Sequence, residues 1–87
     1  MAHAYCEHVK NGNTFRVKGD IWIKLANVSV PEREELDGNR GKRILESRIL
    51  HKYVVYNPVA KERKVIVADV WVENNSVNEY MRLQGYT

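Results

Sequence analysis

Apolar and polar residues alternate along three consecutive segments near the start of the chain, as they do in half-buried strands. These segments are Ala4–Lys10, Thr14–Lys18 and Ile21–Ala26. Asn11-Gly12 separates the first two and is a strong hairpin signal, because both residue types tolerate a positive φ. A second turn, Gly19-Asp20, leads into the third segment. The pattern predicts an antiparallel meander of three strands.

The third segment shows most clearly which side chains should face the interior. Ile21, Ile23 and Leu25 fall on one side of a strand, and Trp22 and Lys24 fall on the other side. We expect the aliphatic set to fill the core. Trp22 should then lie at least partly outside it.

The periodicity becomes helical between Arg40 and His51, after a charged, glycine-containing loop. Ile44, Leu45 and Ile49 cluster on one face of this helix, and Arg48 lies close enough to pack its aliphatic part there. Leu50 lies off the apolar face. Two interpretations of Leu50 stay open: it caps the end of the helix, or it contacts another subunit.

Two more strands and a second helix are predicted in the rest of the chain. The strands are Tyr53–Tyr56, which Asn57-Pro58 should end, and Val65–Val72. Lys61 to Lys64 should form a charged hairpin loop between them. Ser76-Val77-Asn78-Glu79 is a capping box, and it starts a helix that ends at Gly85.

The resulting order is three strands, a helix, two strands and a final helix. This order is typical of the OB-fold, a five-stranded barrel with a helix between strands three and four. We therefore predict a mainly β domain with some α structure (class α+β). A length of 87 residues allows one domain and one core, so the domain should cover residues 1–87.

Composition limits the cellular locations and the kinds of partner that we expect for the domain. No apolar run reaches the roughly 20 residues of a membrane-spanning helix, and the first residues lack the apolar region of a signal peptide. The single cysteine, Cys6, cannot form an internal disulfide, and we expect it to be buried and inert. A cytoplasmic location is the expectation, with secretion of a processed chain left open. The net charge of +3 favours polyanionic partners only slightly.

Four segments, in the right order, resemble those of staphylococcal-nuclease-like (thermonuclease) domains. The first, Asn11-Gly12-Asn13-Thr14, resembles the family's Asp-Gly-Asp-Thr turn, and residues 24–32 (KLANVSVPE) resemble its Arg-Leu-x-x-Val-Asp-x-Pro-Glu segment. Residues 65–70 fall where the family has Tyr-Gly-Arg followed by an apolar strand. Residues 76–79 and 84–86 are similar to its Val-Asn-Glu helix, which ends in Gln-Gly. The resemblance covers nearly the whole chain and implies the same barrel.

The resemblance also implies a phosphodiesterase site in which most catalytic positions are replaced. Active members use Ca²⁺ held by carboxylates, a glutamate that orients or activates water, and two arginines on the phosphate. The two metal-binding aspartates correspond to Asn13 and Ser29, so we expect no metal and no cofactor. The glutamate corresponds to Glu32, which we interpret as vestigial.

The phosphate-binding arginines are replaced less clearly. One corresponds to Lys24, which keeps the charge but loses the bidentate fork. The other corresponds to Val65. If the register slips by one or two residues, Arg63 or Lys64 takes that role instead.

The leading functional hypothesis is a catalytically impaired nuclease-like module that binds nucleic acid, single-stranded nucleic acid in particular, through a basic face. The residues predicted for this face are Arg16, Lys18, Trp22, Lys24, Lys61, Arg63 and Lys64, and Lys10 adds charge beside them.

Two other hypotheses stay open. The chain is a protein-interaction or homodimerisation module, in which case the outward-facing Val65, Val67 and Trp71, or Leu50, supply the contact. Alternatively, it is a weak metal-dependent nuclease in which the degenerate positions still hold a cation. The loss of carboxylates makes enzymatic activity the less favoured reading.

Overall fold

The computed structural model of the chain describes residues 2–31 and 39–87. Within these ranges the strands are β1 (Ala2–Asn11), β2 (Thr14–Val17), β3 (Ile21–Leu25), β4 (Tyr53–Glu62), β5 (Val65–Val72) and β6 (Asn75–Ser76). Helix α1 (Arg40–Ile49) lies between β3 and β4, and helix α2 (Val77–Leu83) follows β6. The predicted order of elements is confirmed, and the two-residue strand β6 is an addition to it.

The first five strands close into a barrel. Antiparallel pairing runs in the order β3-β2-β1-β4-β5, and β6 adds to the far side of β5. Parallel pairing of β3 with β5, from Trp22–Val65 to Leu25–Ala68, closes the ring. The result is a mixed five-stranded barrel with two helices, which confirms the OB-fold-like α+β class.

Strand β4 is longer than predicted, because Asn57-Pro58 does not end it. Proline has no N–H to donate, but the ladder between β4 and β5 shifts register between Pro58 and Ala60, where a bulge accommodates it. Pairing then resumes, and Lys61 and Glu62 belong to the strand rather than to a loop. The hairpin turn between β4 and β5 is therefore only Arg63-Lys64.

The turn between β1 and β2 is confirmed, but for a different reason from the one predicted. Neither Asn11 nor Gly12 has a positive φ. A Cβ atom on the buried Gly12 would lie 2.8 Å from Val30 Cγ2 and 3.1 Å from the Cα atom of Gly41. Glycine is required at position 12 because the turn packs directly on the backbone of α1.

The barrel and the inner face of α1 enclose one core. Its fully buried side chains include Cys6, Val9, Phe15, Val17, Ile23, Leu25, Leu45, Ile49, Val54, Val70 and Met81. The expectation for the third strand is confirmed for Ile23 and Leu25, but Ile21 at its start is 37% exposed. Leu50 is the C-cap residue of α1 and packs, partly buried, against the core. The position of Leu50 agrees with the capping interpretation.

Helix α2 is attached to the barrel by a buried asparagine. Asn78 Nδ2 donates to the carbonyl oxygens of Ala26 and Ala68, each at 3.0 Å, and its Oδ1 accepts from the Val70 N–H at 2.8 Å. The capping box forms in part, since the Ser76 hydroxyl accepts from the Glu79 N–H. Gly85 has the predicted left-handed conformation, with φ of 101°. Among the helices in the described ranges, none is long and apolar enough to cross a membrane.

Candidate functional site

A cleft of about 620 Å³ lies between the β1–β2 turn and the β4–β5 turn. Its polar lining comprises Lys10, Asn11, Asn13, Thr14, Lys24, Glu62 and Arg63. A second hollow of about 510 Å³ shares Asn13, Lys24 and Glu62 with it and reaches Ser29. The fold therefore brings together Asn13, Lys24, Ser29 and Arg63, which belong to three separate segments of the sequence.

The side chain of Asn13 is held by two hydrogen bonds on this cleft wall. Its Nδ2 donates to the carbonyl oxygen of Val28 at 3.0 Å, and its Oδ1 accepts from the Thr14 hydroxyl at 2.9 Å. The Asn13 backbone N–H donates to Asn11 Oδ1 at 2.9 Å. The amide thus joins the β1–β2 turn to the segment after β3, which requires an N–H donor that an aspartate lacks.

Of the other positions of the implied metal site, Ser29 is the one that lies in the described residues, and it carries no charge. Ser29 is exposed at the rim of the second hollow. Glu32 lies outside the described residues. In the ranges that the structure describes, no group of three or more His, Cys, Asp or Glu side chains is arranged to hold a metal ion.

Lys24 forms an ion pair across the cleft with Glu62, a contact that residue type and spacing do not predict. Lys24 Nζ lies 3.5 Å from Glu62 Oε2, with the two side chains 39% and 63% exposed. The sequence predicts a loop at Glu62, and only the continuation of β4 past its bulge places this residue opposite Val65 and near Lys24 of β3. An ion pair this exposed contributes only about 0–1 kcal/mol to stability, so another anion can displace the glutamate from Lys24.

The register around residues 63–65 places one cation on the cleft. Arg63 lines the cleft, and so does Val65, whereas Lys64 does not. Arg63 has a φ of 53°, in the left-handed region that non-glycine residues rarely adopt. Among the residues that the structure describes, the cations that line the cleft are therefore Lys10, Lys24 and Arg63.

An aromatic and cationic cluster lies next to this cleft on the outer face of the barrel. Cross-strand pairs His8–Arg16 and Arg16–Trp22 align three side chains across β1, β2 and β3. The Arg16 guanidinium carbon lies over the Trp22 ring, 5.9 Å from its centroid, and the His8 ring meets that ring edge-on at 6.1 Å. We call these three residues the Trp22 cluster. Trp22 also pairs with Val65, which lines the cleft, so cluster and cleft are continuous.

The sequence does not predict His8 as a surface residue, because simple alternation from Cys6 would place both residues on the same face. The ladder between β1 and β2 shifts register between Cys6 and His8, so that Cys6 is buried and His8 is exposed. An irregularity of this kind leaves no reliable mark in a single sequence.

The remaining predicted basic residues lie away from the cleft. Lys18, Lys61 and Lys64 are exposed and do not line it. Lys61 pairs with Ile66 and therefore points to the face opposite that of its neighbour Glu62. The side chains proposed for a dimer contact on β5, namely Val65, Val67 and Trp71, are half-buried. Among the side chains that the structure describes, the most exposed large apolar ones are instead Tyr53 at 73% and Leu83 at 76%, and neither is predicted as a contact residue from the sequence.

The burial of Cys6 confirms the prediction for the single cysteine. Its side chain is fully buried, and this burial raises the pKa of the thiol to about 11. A thiol with that pKa is almost entirely protonated at neutral pH, so Cys6 is a core residue rather than a nucleophile.

Two sequence comparisons identify no relative of the chain. No family model matches the chain, and no curated protein matches its sequence. The barrel topology carries the fold assignment, and the resemblance to staphylococcal-nuclease-like domains stays a prediction from the sequence.

Proposed function

We propose that this protein is a non-catalytic, nuclease-like OB-fold module that binds single-stranded nucleic acid. The observation that carries the proposal is the continuity of the Trp22 cluster with a cleft that presents Lys10, Lys24 and Arg63. One surface thus offers an aromatic platform and cations within reach of one strand. Stacking on aromatics combined with a cationic groove is how OB-folds hold single strands.

The position of this surface on the barrel also supports the proposal. OB-folds bind oligonucleotides across the face of strands two and three and between the loops that join strands one to two and four to five. Here the Trp22 cluster lies on β1 to β3, and the cleft lies between the corresponding two turns. The sequence alone predicts Arg16, Trp22, Lys24 and Arg63 for a basic binding face, and these residues lie on this surface.

The Trp22 cluster has the chemistry expected of a base platform. A guanidinium group stacks on bases and on aromatic rings through its planar face, and Arg16 already lies over the Trp22 ring. A base can therefore extend the stack that Trp22 and Arg16 begin. Phosphates on either side of it would meet the cations of the cleft.

Hydrolysis has less support than binding. The side chain that replaces the first aspartate uses its N–H to hold Val28, and Lys24 is paired with Glu62. Homodimerisation also has less support, because the β5 side chains are half-buried and Leu50 packs against the core. Neither alternative draws on the Trp22 cluster.

The test is fluorescence anisotropy with labelled single-stranded DNA and RNA of about 12 nucleotides, within the range of site sizes for one OB-fold. Binding should weaken as salt rises, with a slope of log K against log salt of roughly −2 to −3 for three or four neutralised phosphates. The absence of any binding at low salt would refute the proposal.

Two substitutions assign the binding to this surface. Trp22→Leu should weaken binding by roughly 5- to 150-fold, because stacking contributes about 1–3 kcal/mol per base. Trp71→Leu is the matched control: it removes the other, similarly half-buried tryptophan, which pairs with Val55 on a different part of the barrel. Equal losses in both variants would show that the effect is on folding rather than on the proposed platform.

Arg63→Gly tests whether the cleft contacts phosphate, and it should not destabilise the β4–β5 turn. Glycine adopts the positive φ of this position freely, so the variant should fold at least as stably as the wild type. The salt slope should become shallower by about 0.7, the contribution of one phosphate contact to a single strand. Lys64→Gly, one residue away and outside the cleft, should leave the slope unchanged.

A further inference from the structure

We propose that Tyr5 and Tyr53 form a second base-stacking platform, so that a bound single strand crosses β1 from the Trp22 cluster to this tyrosine pair. The inference rests on the proposed function of the Trp22 cluster and extends it to a site on β1 and β4. It also sets a minimum length for the ligand, since one strand must reach both platforms.

The two tyrosines form a preassembled aromatic surface. They are direct cross-strand partners, with ring centroids 5.1 Å apart at an angle of 63°. The His51 ring stacks on Tyr5 at 6.4 Å, nearly parallel at 15°. Tyr53 is 73% exposed, so one of its ring faces is available for a base. We call these three residues the Tyr53 platform.

Hydrogen bonds of the backbone hold the platform in place. His51 has a φ of 61°, and its N–H donates to the Cys6 carbonyl oxygen at 2.9 Å. The Cys6 N–H in turn donates to the Lys52 carbonyl oxygen at 2.9 Å. The chain leaving α1 is thereby fixed against β1, with the imidazole beside Tyr5.

The bulge in β1 puts both platforms on the same face of the barrel. Tyr5 and His8 are three residues apart, so regular alternation would send their side chains to opposite faces. The register shift between Cys6 and His8 inserts Glu7 as an extra residue, which restores both side chains to the outer face. The bulge thus aligns the Tyr53 platform with the Trp22 cluster.

The spacing and charge along β2 suit a strand of nucleic acid. Arg16 belongs to the Trp22 cluster, and Lys18 lies two residues further on, roughly 7 Å away along the strand direction. The Lys18 N–H donates to the Tyr5 carbonyl oxygen at 2.9 Å, so an exposed lysine stands beside the platform. Each platform therefore has its own cation. Glu7 is exposed between them, so we expect bases rather than phosphates to lie over the bulge.

Single-stranded nucleic acid fits this surface better than a duplex or a second protein. Bases in a duplex are stacked on one another, whereas unpaired bases are free to stack on aromatic side chains. The cations beside the rings match a phosphate backbone. A protein contact would predict self-association or capture of a polypeptide, which the experiment below distinguishes.

The experiment measures binding of wild type and Tyr53→Ala to oligothymidylates of about 4 to 16 nucleotides. The variant should fold normally, since Tyr53 is mostly exposed, and its denaturation curve verifies this. We expect unchanged affinity for the shortest strands, which reach only the Trp22 cluster, and a loss of about fivefold or more for the longest. Tyr53→Phe keeps the ring and should bind as the wild type does. Leu83→Ala, which truncates an equally exposed side chain elsewhere, should also change nothing.

The outcomes separate this inference from the function on which it rests. If wild type binds in a Trp22-dependent manner but Tyr53→Ala matches it at every length, the second platform is wrong and the proposed function stands. If wild type binds no oligonucleotide, the proposed function fails and this inference fails with it. If Tyr53→Ala alters only the mass of the protein measured by light scattering, the tyrosine pair is a protein contact and the inference is overturned.

Discussion

Asn13 Nδ2 donates a hydrogen bond to the carbonyl oxygen of Val28 at 3.0 Å. The bond spans fifteen residues of sequence and fastens the β1–β2 turn to the segment that follows β3. At the position where the family resemblance implies a metal-binding aspartate, this chain thus uses the one group that an aspartate does not have. The Asn13 side chain stabilises the fold through this hydrogen bond. Replacing it with aspartate would therefore remove the bond as well as supply a possible metal ligand.

Asn13→Asp is therefore expected to lower the free energy of unfolding by about 1–2 kcal/mol, because a carboxylate would face the Val28 carbonyl oxygen. For a domain of this size, that is a decrease of roughly 4–16 °C in the melting temperature. Thermal denaturation with and without Ca²⁺ measures it, and Asn75→Asp, at an exposed position outside both hollows, controls for the added charge. A large rise in the melting temperature of Asn13→Asp on adding Ca²⁺ would show that a metal site persists.

The architecture was predictable because its signals are local. Alternation defined the meander, Ser76 and Gly85 marked the ends of the last helix, and the order of elements then gave the barrel. Local signals do not predict where the hydrogen-bonded pairing of two strands continues past an irregularity. Pro58 looked like the end of a strand, yet the bulge beside it carries the ladder on to Glu62.

Gly12 shows how a correct prediction can have another physical basis. Gly12→Ala would place a Cβ atom 2.8 Å from Val30 Cγ2 and 3.1 Å from the backbone of Gly41. The turn must then move away from α1, which we expect to cost about 1–3 kcal/mol. Gly19→Ala is the comparison, since its nearest neighbour is 3.9 Å away and the cost comes from a φ of 96° instead.

The two glycine variants are distinguished by urea denaturation combined with the effect on the cleft. Gly12→Ala should also weaken oligonucleotide binding, because the turn that moves carries Asn13 on the cleft wall. Gly19→Ala, at the β2–β3 turn, should lose stability alone. Wild-type stability of Gly12→Ala would mean that the turn does not pack on α1 as described.

Substitution of Asn78 should lower the free energy of unfolding more than substitution of an exposed polar residue. Asn78→Ala removes the acceptor of the buried Val70 N–H and two donors to carbonyl oxygens. The Ala68 carbonyl oxygen keeps a bond from the Ala26 N–H, and the Ala26 carbonyl oxygen keeps one from Arg82 Nη1 at 3.4 Å, so the main penalty falls on the Val70 N–H. We expect a loss of roughly 2–4 kcal/mol in urea denaturation. Asn75→Ala, which removes a single exposed hydrogen bond to Glu73, should cost far less.

The burial of Cys6 gives the stability of the protein a pH dependence at alkaline pH. The folded-state pKa is raised from 9.0 to about 11, so the folded protein retains a proton that the unfolded chain releases in this interval. The stabilisation is complete below about pH 9 and is lost as the pH rises towards 11. Wild type should therefore lose more stability than Cys6→Ala between neutral pH and about pH 10.5. Parallel losses in the two proteins would contradict this assignment.

The candidate site was predictable only in part, because residue type is visible in the sequence whereas the register between strands is not. Charge and residue type were enough to select Arg16, Trp22, Lys24 and Arg63, which the structure places around one cleft and the adjoining cluster. His8 reaches the outer face only through the bulge in β1, and Glu62 reaches Lys24 only through the extended β4. Both depend on long-range register, which residue type does not reveal.

If the proposed function is correct, substitution of Glu62 should increase the affinity for oligonucleotides. Its carboxylate lies 3.5 Å from Lys24 Nζ and competes there with any phosphate that enters the cleft. Glu62→Gln removes this competition and lowers the negative charge, so oligonucleotide affinity should rise about two- to fivefold, the equivalent of up to about 1 kcal/mol for an exposed pair. Glu73→Gln, an exposed substitution outside the cleft that makes the same change in net charge, measures the non-specific effect. Equal gains in both variants would mean that Lys24 does not contact phosphate, whereas a gain confined to Glu62→Gln and removed by adding Lys24→Met would place the phosphate on Lys24.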